Sequence, residues 1–137
     1  MHYVDLVAVI AVLQFFIFTI LTGNARSKAG LKAPAVTGHE GFERMYRVQM
    51  NTLETLIAFL PALILAAKYW SGPWVAGVGI VYVIGRHLYW RAYISEPSKR
   101  GLGFMLSMIP TLLLILLVLV GVIGSLTGLM ATTGASA

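Results

Sequence analysis

Arg47, Asn51 and Glu54 follow one another at steps of four and three, which at 3.6 residues per turn puts all three on one helical face. A cation, an amide and an anion in a row can hold a ligand carrying both charges. Tyr82, Arg86, Tyr89 and Tyr93 recur at steps of four, three and four, a second stripe of hydrogen-bonding and aromatic groups. If the two stripes face each other, Glu54 meets a cationic or hydrogen-bonding partner such as Arg86. Arg26, Arg44, Arg47, Arg86, Arg91 and Arg100 can all be drawn toward the same end of the molecule, an excess that suits an anionic ligand whose carboxylates complete the balance. Glu54 would then take the cation of that ligand.

The elements that must carry these groups follow from composition. The chain has 137 residues, 58% of them hydrophobic and only 11% charged, against roughly 25% charged in an ordinary soluble domain. Its mean hydropathy is +0.84. A soluble fold of this size cannot hide so much apolar surface, and the expectation is a single all-α integral membrane domain, a four-helix bundle. Spans are expected at about residues 5–23, 43–67, 74–95 and 102–126, each near the ~20 residues that a ~30 Å hydrocarbon layer requires. A cleaved signal peptide fits poorly, because Asp5 precedes the first apolar run and Arg26, Lys28 and Lys32 follow it.

The punctuation between spans is polar. Thr37 and Glu40 have the spacing of a capping box that would open the second helix. Ser71-Gly72-Pro73 makes a tight turn with Pro73 in the first turn of the third helix, and Glu96 to Gly101 is a connecting loop. Pro61 and Pro110 fall inside spans two and four, where kinks are expected. Gly77, Gly79, Gly85, Gly121 and Gly124 are read as points of close helix approach. The tail from Thr127 is small, polar and expected to be mobile. All Lys and Arg except Lys68 fall on the side of the connections between spans one and two and spans three and four. That distribution places this face in the cytoplasm and both termini outside.

Glu54 lies about ten residues inside Arg44, or ~15 Å along the helix, deep enough that an unpaired carboxylate would be expelled or protonated. One reading is an Arg86–Glu54 pair that only fixes helix packing, with the tyrosines as an interfacial belt. The surplus of arginine favours a ligand instead. The net charge of +5 is a topology signal, and cations spread over helix ends make nucleic acid an unsuitable partner. No cysteine is present, so any thiol chemistry needs a thiol brought by a ligand. His2, His39 and His87 lack metal-ligand spacing, and no metal site, phosphate loop or Ser-His-Asp set is expected.

The stretch Phe42-Glu43-Arg44-Met45-Tyr46-Arg47-Val48-Gln49-Met50-Asn51, with Glu54 after it, resembles the signature of the MAPEG family, the membrane-associated proteins of eicosanoid and glutathione metabolism. The likeness extends to Ala25-Arg26, to Arg86, Tyr89 and Tyr93, and to Arg100, and so covers the chain up to Leu126. It implies a homotrimer with glutathione bound between neighbouring subunits near the cytoplasmic face. Carried over residue by residue, it puts Arg47, Asn51, Glu54, Arg86, Tyr89 and Tyr93 around glutathione, with Arg26 and Gln49 as further contacts. Glu54 would take the γ-glutamyl ammonium, the arginines the two carboxylates, and Arg100 the sulfur as thiolate, the catalytic role. Thr55 stands where relatives often have an aromatic residue or asparagine. Ser27 stands where the leukotriene-forming member has a second arginine, so leukotriene synthesis is not implied.

The functional expectation is a membrane glutathione transferase of detoxification, joining glutathione thiolate to lipophilic electrophiles that arrive from the bilayer, with glutathione peroxidase activity as a companion. A non-enzymatic lipid-binding scaffold, like the lipoxygenase-activating member of the family, is the alternative. Arg100 separates them, since a scaffold has no need to ionise a thiol. A small channel is disfavoured because Leu112 to Val120 has no polar residue to continue a path. Compact loops and the lack of an endoplasmic-reticulum retention signal suit a bacterial inner membrane.

Overall fold

The computed structural model describes residues 1–130; the tail beyond them, expected to be mobile, lies outside the described residues. Four long helices follow in order: α1 (His2–Lys28), α2 (Glu40–Ala66), α3 (Gly72–Ser95) and α4 (Gly101–Leu126), with a single 3-10 turn, Pro97–Arg100, leading into α4. Helices α2 and α3 form the middle of the bundle and touch every other helix, while α1 and α4 flank them. The tightest packing is α3 on α4, followed by α1 on α2.

At 1.5 Å per residue, a helix of 27 residues is about 40 Å long, longer than the ~30 Å hydrocarbon layer. The excess lies on the basic side, where α1 runs on to Arg26 and Lys28 and α2 begins with Glu40, Glu43 and Arg44. α1, α2 and the stretch Pro97–Leu126 are long and apolar enough to cross a membrane. α3, which carries Arg86, His87 and four glycines, is not among those apolar enough by length and composition alone.

The packing is that of a protein solvated by lipid. The interior holds Val4, Val7, Phe59, Leu63, Val75 and Leu114, with a smaller cluster of Phe18, Met45, Val48 and Tyr89 toward the basic end. The outside is equally apolar: Phe16, Ile17, Leu112, Leu116 and Leu119 are all about half exposed or more. Exposed apolar area on this scale is stable only against hydrocarbon. This is an integral membrane helical bundle.

Two glycines set the distance between α3 and α4. A Cβ on Gly85 would lie 2.6 Å from the Leu106 carbonyl carbon, and one on Gly103 would strike the Tyr89 backbone. Small residues thus let the two backbones meet at the level of Arg86 and Tyr89. Gly79, Gly121 and Gly124 are also crowded, whereas Gly77 has nothing within 4 Å and is no contact point within the chain. Gly103 carries the closest approach and had not stood out, because a glycine two residues into a helix reads as a loop remnant.

The start of α2 also differs from expectation. His39 is the N-cap, with Nδ1 accepting from Gly41 N, and Glu43 accepts from Gly38 N at 2.9 Å. Thr37 and Glu40 therefore form no capping box; the loop keeps Thr37 outside the helix while Glu40 turns to Arg44. Pro73 sits in the first turn of α3, and α2 and α4 continue through Pro61 and Pro110.

Candidate functional site

At the basic end, α2 and α3 present their polar stripes to one another, and the side chains form a connected line. Arg47 Nη1 lies 4.0 Å from Glu54 Oε1, with both side chains more than half exposed. Asn51 Nδ2 donates to Glu54 Oε2 at 3.5 Å, and its Oδ1 accepts from Arg86 Nη2 at 3.0 Å. The expected direct Arg86–Glu54 pair is absent, because Asn51 occupies the space between them and uses both ends of its amide.

Arg86 is 0% exposed, and burying a guanidinium is costly unless its charge and donors are met. One nitrogen has Asn51. Nε and Nη1 have no hydrogen-bond acceptor, and the guanidinium lies over the Tyr89 ring, 4.1 Å from its centre. A cation over an aromatic face is stabilised, but these two in-plane donors are still without an acceptor among the described residues. Tyr89 leads to Tyr93, ring centres 5.4 Å apart, and Arg100 lies over the Tyr93 ring at 5.8 Å. The short 3-10 turn aims Arg100 by letting its Nη1 donate to the Pro97 carbonyl at 3.1 Å. In the same turn the Lys99 ammonium at 2.8 Å, helped by the Ser98 hydroxyl, holds the Glu96 carboxyl below its ordinary range. Glu96 is thereby engaged by its own neighbours.

On the buried face of the same stretch of α2, and one turn deeper on α3, the polar groups are closed on themselves. The Tyr82 hydroxyl and Thr55 Oγ1 are 2.9 Å apart, Thr55 also donates to the Thr52 carbonyl, and the Tyr82 ring stacks on Phe59 at 3.7 Å. Tyr82 belongs to this floor and not to the line above it. Thr55, a departure from the family pattern, is the residue that fits it.

The remaining candidates lie elsewhere. Gln49, two residues from Asn51, points across α2 to α1, where Nε2 donates to Thr19 Oγ1 at 3.3 Å. Arg26 stacks over Phe42 at 4.5 Å and donates to the Ala35 carbonyl in the α1–α2 loop. Within one chain, Arg26 and Gln49 are thus on the α1 side and apart from Arg47, Asn51, Glu54, Arg86, Tyr89, Tyr93 and Arg100. Nor do all six arginines converge. Arg44 is a strut, bonded to Glu40 and to the carbonyls of Ile94 and Ser95, and Arg91 lies over Trp90. Helix length explains both: charges at the extended ends of α2 and α3 have loop carbonyls and interfacial rings within reach. Among the described residues no group of three metal-ligating side chains is assembled.

The MAPEG family profile matches residues 4–120. The chain belongs to the MAPEG family. Among proteins similar to it, an uncharacterized protein of Synechocystis is 39% identical, covering 88% of each chain. Human microsomal glutathione S-transferase 2 is 37% identical over 86% of this chain and 78% of its own. Bovine leukotriene C4 synthase is 31% identical over 69% of this chain and 63% of its own. The match spans all four helices and so includes every residue of the polar line.

Proposed function

We propose that this MAPEG protein is a membrane-bound glutathione transferase, and that the polar line from Glu54 to Arg100 is its glutathione site. The observation that carries the reading is the incomplete satisfaction of Arg86 and Glu54. A buried guanidinium with two unpartnered nitrogens and a half-exposed carboxylate on an apolar helix are the two halves of a zwitterion receptor. Microsomal glutathione S-transferase 2 among its relatives supports glutathione as the zwitterion.

In this reading the γ-glutamyl ammonium meets Glu54, the carboxylates meet Arg47 and Arg86, and the tyrosines line the peptide. Arg100 lies beside the sulfur. The thiol releases its proton to solvent, the thiolate lone pair forms the C–S bond, and the electrophile expels its leaving group or passes its electron pair to a neighbouring carbon. A guanidinium near sulfur favours the ionised nucleophile. Reduction of lipid hydroperoxides by the same thiolate is a companion activity. A scaffold role is the second reading, and the location of Arg100 over Tyr93 at the end of the line favours the enzyme.

The site is shared between subunits of a homotrimer. Arg47, Glu54 and Ile57 form an exposed face on α2, with Ile57 69% exposed directly beyond the acid, which suits a protein neighbour covering it. Arg26 and Gln49 of the adjacent subunit then complete the site. All four helices cross the membrane, a bacterial inner membrane, with the basic face cytoplasmic and both termini outside.

Isothermal titration of the detergent-purified protein with glutathione and S-hexylglutathione tests the function. Binding tighter than millimolar is expected, and millimolar or weaker binding of both removes the transferase reading. Native mass spectrometry tests the trimer, and a monomer that binds glutathione fully excludes the shared site.

A further inference from the structure

The seam between α1 and α3 leaves hollows on the lipid-facing side of the bundle. Near mid-membrane a hollow of about 400 Å³ is lined by Leu13, Gln14, Ile17, Val83, His87 and Trp90. Toward the basic end a second hollow, about 280 Å³, is lined by Asn24, Lys28, Met45, Trp90 and Ile94. Trp90 lines both, so the two hollows are neighbours along the seam.

Polarity changes along this trough in one direction. Its deep part is mainly apolar: Gln14 is held back against α3 by donating to the Val83 carbonyl at 2.9 Å, and His87 lies edge-on to the Trp90 ring. Its basic end has the Asn24 amide and the Lys28 ammonium on α1, with Arg91 over the Trp90 ring at 5.6 Å on α3. The Trp90 indole Nε1 has no acceptor in the chain, about one turn inside the charged end. From Gln14 to Lys28 the helix rises about 21 Å, close to the thickness of one leaflet from headgroup to midplane.

We propose that the α1–α3 seam is a specific site for an anionic diacyl phospholipid of the leaflet on the basic face. An acyl chain fills the trough between Leu13, Ile17 and Val83. The ester carbonyls lie at the level of the Trp90 ring, at the depth where tryptophan ordinarily marks a membrane interface. The phosphate lies at Lys28 and Asn24. Charge selects the occupant: a zwitterionic headgroup brings its own cation to Lys28, and an anionic one does not. The proposal is independent of the glutathione reading, because neither Lys28 nor Trp90 belongs to the polar line.

The test is native mass spectrometry of the full-length protein in mild detergent with phosphatidylglycerol and phosphatidylcholine of identical acyl chains. Wild type is expected to retain phosphatidylglycerol about fivefold better, the factor one interfacial lysine contributes. Lys28→Ala abolishes the headgroup preference. Lys32→Ala, which removes the same charge from an exposed loop position outside the trough, leaves it unchanged. Trp90→Ala, which removes the ring that lines both hollows, lowers retention of both lipids. Equal loss in Lys28→Ala and Lys32→Ala reduces the effect to general attraction and overturns the site. So does a wild type without preference. If Lys28→Ala changes the subunit count and not the lipid count, the seam is a subunit contact and the proposal fails.

Discussion

Two faces of the same stretch of α2 handle polar groups in opposite ways. At Thr52, Thr55 and Tyr82 every hydroxyl is buried and has a partner within the chain. At Arg47, Asn51, Glu54 and Arg86 the groups are stronger, the contacts are longer or incomplete, and two side chains project outward. Packing alone asks only for the first arrangement, since an apolar environment penalises any unmatched polar atom. The second persists where something outside the chain completes it. A closed network should therefore report on stability, and an open one on ligand binding.

The sharpest way to break that comparison is Glu54→Gln. The amide keeps the shape and a hydrogen-bonding oxygen but no longer balances an ammonium. Glutathione binding is expected to weaken by about 1.5–3 kcal/mol, the range of a hydrogen bond to a charged group, while the melting temperature moves little. Calorimetric titration beside thermal unfolding decides it. A large loss of stability with glutathione affinity preserved would return Glu54 to a structural role.

Arg100→Ala comes next and acts on rate. A free thiol with pKa about 8.5 is only a few per cent ionised at neutral pH. A guanidinium that lowers this by about two units makes thiolate dominant, so removing it should slow conjugation at pH 7 by roughly twenty-fivefold. Because the loss is one of ionisation, the sign with pH is fixed: activity of the variant rises toward wild type as pH approaches 8.5 and above. Linkage also ties the same shift to binding, so glutathione affinity at pH 7 should fall by only about fourfold. The thiolate absorbance of bound glutathione, titrated in both proteins, reads this directly, and superimposable curves remove Arg100 from the mechanism.

The sequence made the helices legible because 3.6-residue periodicity and hydrocarbon thickness leave few alternatives for a chain this apolar. It also made the stripe Arg47-Asn51-Glu54 legible, since helical spacing fixes a face without knowledge of neighbours. What lies across from that face was not. Asn51 between Arg86 and Glu54, Tyr82 captured by Thr55, and Arg44 spent on loop carbonyls all depend on helix rotation and on the α3–α4 approach that Gly85 and Gly103 permit. The signal for Thr55 was present as a hydroxyl inside a span with a tyrosine on the next helix; each polar residue in hydrocarbon has to find a partner, and these two are matched in size. Arg26 and Gln49 lie on the α1 side, held by Ala35, Phe42 and Thr19, a placement that spacing along one helix does not fix.

The smallest effect belongs to the closed network, and it tests the comparison from the other side. Thr55→Val keeps the branched shape and removes the oxygen that faces the Tyr82 hydroxyl at 2.9 Å. The tyrosine ring stays stacked on Phe59, so its hydroxyl is left buried without its partner. Such a loss costs about 1 kcal/mol, toward the low end of the range for an unsatisfied buried group, because a hydroxyl is neutral. The expected result is a lower melting temperature with glutathione affinity within about twofold of wild type. Tyr82→Phe in the Thr55→Val background removes the stranded hydroxyl as well and should recover part of the stability, since two apolar groups of matching shape replace a broken pair. If Thr55→Val instead weakens glutathione binding as much as Glu54→Gln does, the two faces form one network, and the division between a structural floor and an open site is wrong.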